Sequence, residues 1–251
     1  MKLIFLLVLT FIFSAEAHGI ITRHDIPDSR FIVSNSDFPA LVPLFGPNDC
    51  IATLVQANFL ITVAHCAEEL VVGSNLFVSN QKLQIEEVIL HPDWNDKLNV
   101  HDIALIKLKK NVVGVTPLPL YQKRDEVGQI ITLVGRGVSG TGLVGENGAI
   151  EDSRLRRVTN RITGADSMYF EIVFDPPGSA ETTPLEGVGA SGDSGGPSFL
   201  RKNGKDYIVG LNSWGSGENT GVGIGEYTAK DYQTRVSSYI PWLKSQGLRI
   251  D

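Results

Sequence analysis

Apolar residues gather along this chain in short runs rich in Val, Ile, Leu and Phe, at 50–56, 59–63, 82–90, 103–108, 129–134, 156–163, 168–174 and 207–214. Each run has the length of a strand. Turn signals separate them, among them Gly46-Pro47-Asn48, Val72-Gly73-Ser74-Asn75, Gly137-Val138-Ser139-Gly140 and Arg201-Lys202-Asn203-Gly204. The end of the chain reads differently. From 237 to 246, Tyr239, Ile240, Trp242 and Leu243 share one helical face, and Gly247 supplies a stop. The alternation of strand and helix that builds a parallel sheet is absent, so the pattern predicts an all-β, antiparallel protein with one C-terminal helix.

Composition narrows the picture. With 251 residues, 42% of them hydrophobic, the chain can bury a core as one all-β enzyme or two small subdomains. Its formal charge of −6 and lack of a basic stripe argue against nucleic-acid binding. Met1-Lys2 precedes apolar and hydroxyl residues at 3–13, too few to span a bilayer, which reads as a secretory signal. Small residues permit cleavage after Ala17 or after Gly19, so the mature chain starts at His18 or at Ile20. Export, to the medium or to a periplasm, makes a disulfide the natural state of the two cysteines, Cys50 and Cys66. Such a bridge would contribute about 3 kcal/mol by the chain-entropy account.

The densest chemistry lies in Gly192-Asp193-Ser194-Gly195-Gly196-Pro197, where flanking glycines leave a serine hydroxyl and nearby N–H groups open to a substrate carbonyl. The letters also satisfy the G-x-S-x-G elbow of α/β-hydrolases, but that arrangement needs a histidine after the serine. The five histidines, 18, 24, 65, 91 and 101, all precede it. The order His, Asp, Ser remains, supplied by Thr62-Val63-Ala64-His65-Cys66 and His101-Asp102-Ile103-Ala104-Leu105.

These three segments resemble the histidine, aspartate and serine motifs of chymotrypsin-like serine proteases. His91-Pro92-Asp93-Trp94, Ser213-Trp214-Gly215 and the closing Val236-Ser237-Ser238-Tyr239-Ile240-Pro241-Trp242 extend the similarity over most of the chain. The resemblance implies two antiparallel six-stranded β-barrels, here about 20–118 and 119–251, with the site between them. It implies an endopeptidase without metal or organic cofactor, monomeric, acting on polypeptides and open to protein protease inhibitors, with no nucleic-acid or membrane partner. His65 would be the general base, Asp102 its orienting acid, Ser194 the nucleophile, and the N–H groups of Gly192 and Ser194 the oxyanion hole. A catalytically silent binding protein and an esterase with the same triad are the alternatives.

The chain also departs from the family pattern. No Ile-Val-Gly-Gly start is present; Ile20 is the expected activating terminus, set beside Asp193, with Ile32 a poorer candidate. Spacing puts Val188 at the pocket base and Gly215 and Gly225 on its walls, which favours apolar side chains before the cleaved bond. A shifted register would put Asp231 in the place of Gly225 and restore an acid. The remaining polar residues read as structural: His24-Asp25 as a local turn, His91 in a turn, His101 facing away from Asp102, and Lys107, Lys109, Lys110, Arg156 and Arg157 as solvated. Arg136 stands where the family often has Trp and has no functional account.

Overall fold

The apolar runs form strands because β-branched and aromatic side chains suit a pleated surface packed on one face. The computed structural model describes residues 20–46, 49–150, 152–216 and 221–250. Its strands are β1 (Ile21–Thr22), β2 (Leu41–Pro43), β3 (Ile51–Gln56), β4 (Phe59–Thr62), β5 (Asn75–Val78), β6 (Gln81–Leu90), β7 (Ala104–Leu108) and β8 (Ile130–Gly135). There follow β9 (Ser139–Thr141), β10 (Gly145–Ile150), β11 (Arg156–Ala165), β12 (Tyr169–Val173), β13 (Gly187–Val188), β14 (Pro197–Lys202), β15 (Lys205–Ser216) and β16 (Lys230–Arg235). The α-helices among the described residues are a one-turn helix, α1 (Ala64–Ala67), and a C-terminal helix, α2 (Ile240–Ser245). The proposed leader lies outside the described residues.

Strands β2 to β7 form a six-stranded antiparallel sheet in the order β2-β3-β4-β7-β6-β5, with the two edge strands lying against each other. Strands β8, β11, β12, β14, β15 and β16 close into a second antiparallel barrel. Leu54, Leu60, Ile61, Ile85 and Leu105 fill the first without exposure, and Val158, Ile162, Phe170, Ile172 and Val209 fill the second. Each such side chain contributes about 1.5–3 kcal/mol on burial. A small sheet, β10-β9-β1-β13, ties the start of the described chain to the second half: Ile21 pairs with Val188 and with Gly140.

Local chemistry sets the turns. Asn203 and Gly204, at φ 52° and 76°, make the two-residue connection from β14 to β15, the backbone that Asn-Gly favours. The C-terminal helix is shorter than the apolar pattern predicts, because a 3₁₀ turn at Val236–Ser238 precedes α2 and Pro241 falls in its first turn. Arg156 corrects the expectation of a solvated cation. It is 2% exposed, and its guanidinium donates to Asp28 Oδ1 at 2.8 Å and Asp152 Oδ2 at 2.7 Å. Among the described residues no helix is long and apolar enough to cross a membrane.

Candidate active site

His65 sits in α1, directly after the buried strand β4. The next residue, Cys66, is bridged to Cys50, with the two Cα atoms 6.1 Å apart. A ring nitrogen of His65 lies within 4.8 Å of both sulfurs, but these are spent in the disulfide and offer no thiolate to a metal. Asp102 precedes β7 and has no solvent exposure. Its Oδ1 accepts the His65 backbone N–H at 3.0 Å; its Oδ2 meets His65 Nδ1 at 2.8 Å and accepts from Ser213 Oγ at 2.5 Å. The imidazole is thereby held by its Nδ1 edge, which leaves Nε2 for proton transfer. Burial works against protonation of His65. The hydrogen bond and charge of Asp102, with Glu68 and Asp96 adding to it, outweigh that and hold the pKa above the ordinary imidazole value.

The serine loop is tied to the histidine side by backbone. Cys50 N–H donates to Gly192 O at 3.1 Å and Ile51 N–H to Ser194 O at 2.7 Å, so the segment that enters β3 and is bridged to Cys66 also holds the Ser194 loop. Thr62 Oγ1 caps Ile51 O at 2.8 Å, and a Cβ on Gly195 would fall 2.2 Å from each of these two oxygens. Only glycine allows so close an approach. Ser194 is partly exposed, and among the described residues the N–H groups of Gly192 and Ser194 have no protein acceptor. Asp193 turns inward. At 1% exposure, it accepts from Gly137 N–H at 2.8 Å, Ala190 N–H at 3.0 Å and Ile20 N–H at 2.8 Å. Burial pushes its carboxyl up to about 6 despite these donors.

Beside Ser194 opens a cleft of about 130 Å³ lined in part by Gly189, Gly215, Ile224, Glu146 and Asp231. Asp231, 4% exposed, accepts from Gly189 N–H at 2.7 Å and Gln233 Nε2 at 3.0 Å. Turned so that its amide donates, Asn212 adds bonds of 3.1 and 3.2 Å to the same carboxylate. Burial, reinforced by the charge of Asp193, pushes Asp231 up to about 7 although these donors oppose it. Glu146, at the cleft wall, accepts from Ser191 N–H at 2.6 Å and Ser191 Oγ at 3.0 Å.

This His-Asp arrangement and glycine-flanked serine invite comparison with known proteins, and the sequence model described as Trypsin matches residues 33–243. The chain belongs to the trypsin family of serine endopeptidases. Chymotrypsin-like elastase family member 1 of Canis lupus familiaris is 28% identical over 213 residues, 78% of this chain and 80% of the relative. Vitamin K-dependent protein C of Mus musculus is 24% identical over 225 residues, 78% of this chain and 45% of the relative. The hepatocyte growth factor activator serine protease of Canis lupus familiaris is 24% identical over 244 residues, 86% of this chain and 36% of the relative. The chain thus spans most of the first relative and less than half of the other two.

In this trypsin-family chain the residues that spacing puts around a pocket do not all line this cleft. Gly215 lines the cleft and pairs with Asp231 across β15 and β16. Val188 and Gly225 do not line it. Val188 is buried opposite Ile21, and a Cβ on Gly225 would come within 2.6 Å of the Ile21 side chain. Both support the segment that begins at Ile20, whereas Asp231 lies in the cleft lining. His101 is not extended; at φ 56° it turns to stack on His91, 4.8 Å between ring centres. His24 bonds the Tyr227 hydroxyl. Ser213 as a donor to Asp102, and Glu146 in the cleft, went unread in the sequence because neither follows from spacing.

Proposed function

We propose that this protein is an exported serine endopeptidase that attacks peptide bonds with Ser194 and cleaves after Lys or Arg. The observation that supports the reaction is the buried Asp102 holding His65 by backbone and ring at 3.0 and 2.8 Å. His65 takes the Ser194 proton as the hydroxyl attacks, Asp102 stabilises the imidazolium that forms, and the Gly192 and Ser194 N–H groups receive the oxyanion. His65 then gives the proton to the leaving amine, and a water molecule repeats the sequence on the acyl-enzyme.

The apolar preference expected from the spacing rested on Val188 and Gly225, which pack against Ile21 instead. Asp231 in the cleft favours a cationic side chain, because a buried carboxylate with neutral donors gains a counter-charge when one enters. Activation fits a chain that starts at Ile20. Its nitrogen lies 2.8 Å from Asp193 Oδ2, and as a free ammonium it would supply the charge that this carboxylate lacks.

Digestion of a peptide library by the purified mature protein, read by mass spectrometry, tests the reading. Cuts after Lys and Arg are expected. Cuts chiefly after Leu, Phe or Val would overturn the preference, and no cuts from a chain shown to start at Ile20 would overturn the activity.

A further inference from the structure

Among the described residues, the deeply buried cations have acidic partners: Arg156 meets Asp28 and Asp152, and Arg235 meets Glu126. Arg136, half-buried directly after β8, has none. Its guanidinium donates to the side-chain oxygen of Asn35, and burial pushes its pKa down with no carboxylate to oppose this. A half-desolvated guanidinium that lacks a counter-charge gains by meeting a carboxylate in the bidentate geometry it favours.

The surroundings of Arg136 say what could bring that carboxylate. It lines a cleft of about 320 Å³ whose walls include Phe38, Leu41, Phe77 and Leu155 and, among the described residues, no acidic one. The volume suits a ligand of a few residues. Leu41 lies on β2 and Phe77 on β5, the two edge strands that lie against each other where the first sheet curls round, so the cleft runs along that seam. Phe77 is 63% exposed, an aromatic side chain left at the cleft wall. The cleft also abuts the catalytic loop from two sides. Ile51, in its lining, donates to Ser194 O at 2.7 Å, and Gly137, next to Arg136, donates to Asp193 Oδ1 at 2.8 Å.

We propose that this cleft docks an extended acidic peptide segment, its carboxylate on Arg136 and an apolar neighbour between Phe38 and Phe77, and that docking acts on the oxyanion loop. The docking is independent of hydrolysis; the action on the loop rests on the proposed endopeptidase activity. The two parts are tested separately.

Docking is read by fluorescence anisotropy of a labelled, end-blocked peptide alternating Phe and Glu, added to the Ser194→Ala protein so that nothing is cut. Arg136→Gln in that background is expected to weaken binding about tenfold or more, Arg136→Lys less, and the matching Phe/Gln peptide to bind as weakly as the Arg136→Gln protein binds the acidic one. Phe77→Ser, at an exposed position, is expected to weaken it too and serves if Arg136→Gln fails to fold. Equal affinity for a folded Arg136→Gln protein would overturn the proposal. So would displacement of the peptide by a ligand of the Asp231 cleft, or a self-associated dimer that Arg136→Gln dissolves, which would make the occupant a second copy. On the wild type, saturating peptide is expected to change kcat for a short substrate about fivefold or more. An unchanged kcat would contradict the link to the oxyanion loop, and absence of any turnover would count against the endopeptidase reading while leaving the docking result intact.

Discussion

Asp102 and Asp231 are both buried, at 0% and 4% exposure, and they stand in different company. Asp102 holds an imidazole that can take up a proton, with Ser213 adding a third hydrogen bond. Asp231 has Gly189, Gln233 and Asn212, all neutral donors, and feels the charge of a second acid, Asp193. Burying a carboxylate costs several kcal/mol unless a counter-charge offsets it. In the proposed reaction the counter-charge of Asp102 arises inside the protein, when His65 accepts the serine proton, and that of Asp231 arrives with the substrate. On that proposal one buried charge serves the rate and the other the choice of substrate.

The largest effect expected from breaking this contrast is on the first aspartate. Asp102→Asn should lower kcat on a peptide substrate by about ten thousandfold with little change in Tm, because the amide leaves the imidazole in the wrong tautomer. Asp231→Ser should cost at least about thirtyfold in kcat/KM for substrates with Arg before the cleaved bond, as expected for removing one partner of a buried charge pair. A matched Leu substrate should change far less. Parallel losses on both substrates would erase the distinction between the two residues.

pH sharpens it further. The raised pKa of His65 means that the neutral base is lost as pH falls through a value above the ordinary 6.5, so kcat/KM should show its acid limb there for every substrate. Arg substrates should show a second loss near pH 7, where the empty pocket protonates Asp231. The smallest effect is on stability. A carboxyl raised from 3.8 to about 7 in the fold disfavours folding progressively as pH rises from 3.8 toward 7, and fully above it. Asp231→Asn should then raise Tm at pH 8, and the gain should shrink toward pH 4.

The apolar runs marked strands such as β3, β4, β6, β7, β8, β11, β12 and β15, because a buried face leaves its signature in residue type. Strand β16 carried no such signature. Asp231, Gln233, Thr234 and Arg235 are buried there in a hydrogen-bonded polar network, so its inward positions read as surface. The same polar strand hides its register from the sequence, where spacing puts Gly225 on the pocket wall; in the structure Asp231 lines the cleft. Strands β1, β9 and β13 are two or three residues long, held by pairing across the chain rather than by a local pattern. His65, Asp102 and Ser194 stand out in the sequence because the proposed chemistry fixes residue type and order, and the structure sets His65 on Asp102. Ser213 Oγ on Asp102 and the Glu146 carboxylate on Ser191 come from long-range packing, which no local run records.

The central claim is an activated Ser194, and the most direct test is exposure of the mature protein and its Ser194→Ala variant to a fluorophosphonate, with intact mass read by spectrometry. The account predicts one adduct on the wild type, none on Ser194→Ala, and a labelling rate that falls as His65 protonates. A wild type that starts at Ile20 and takes up no label, or a Ser194→Ala protein labelled equally well, would contradict it.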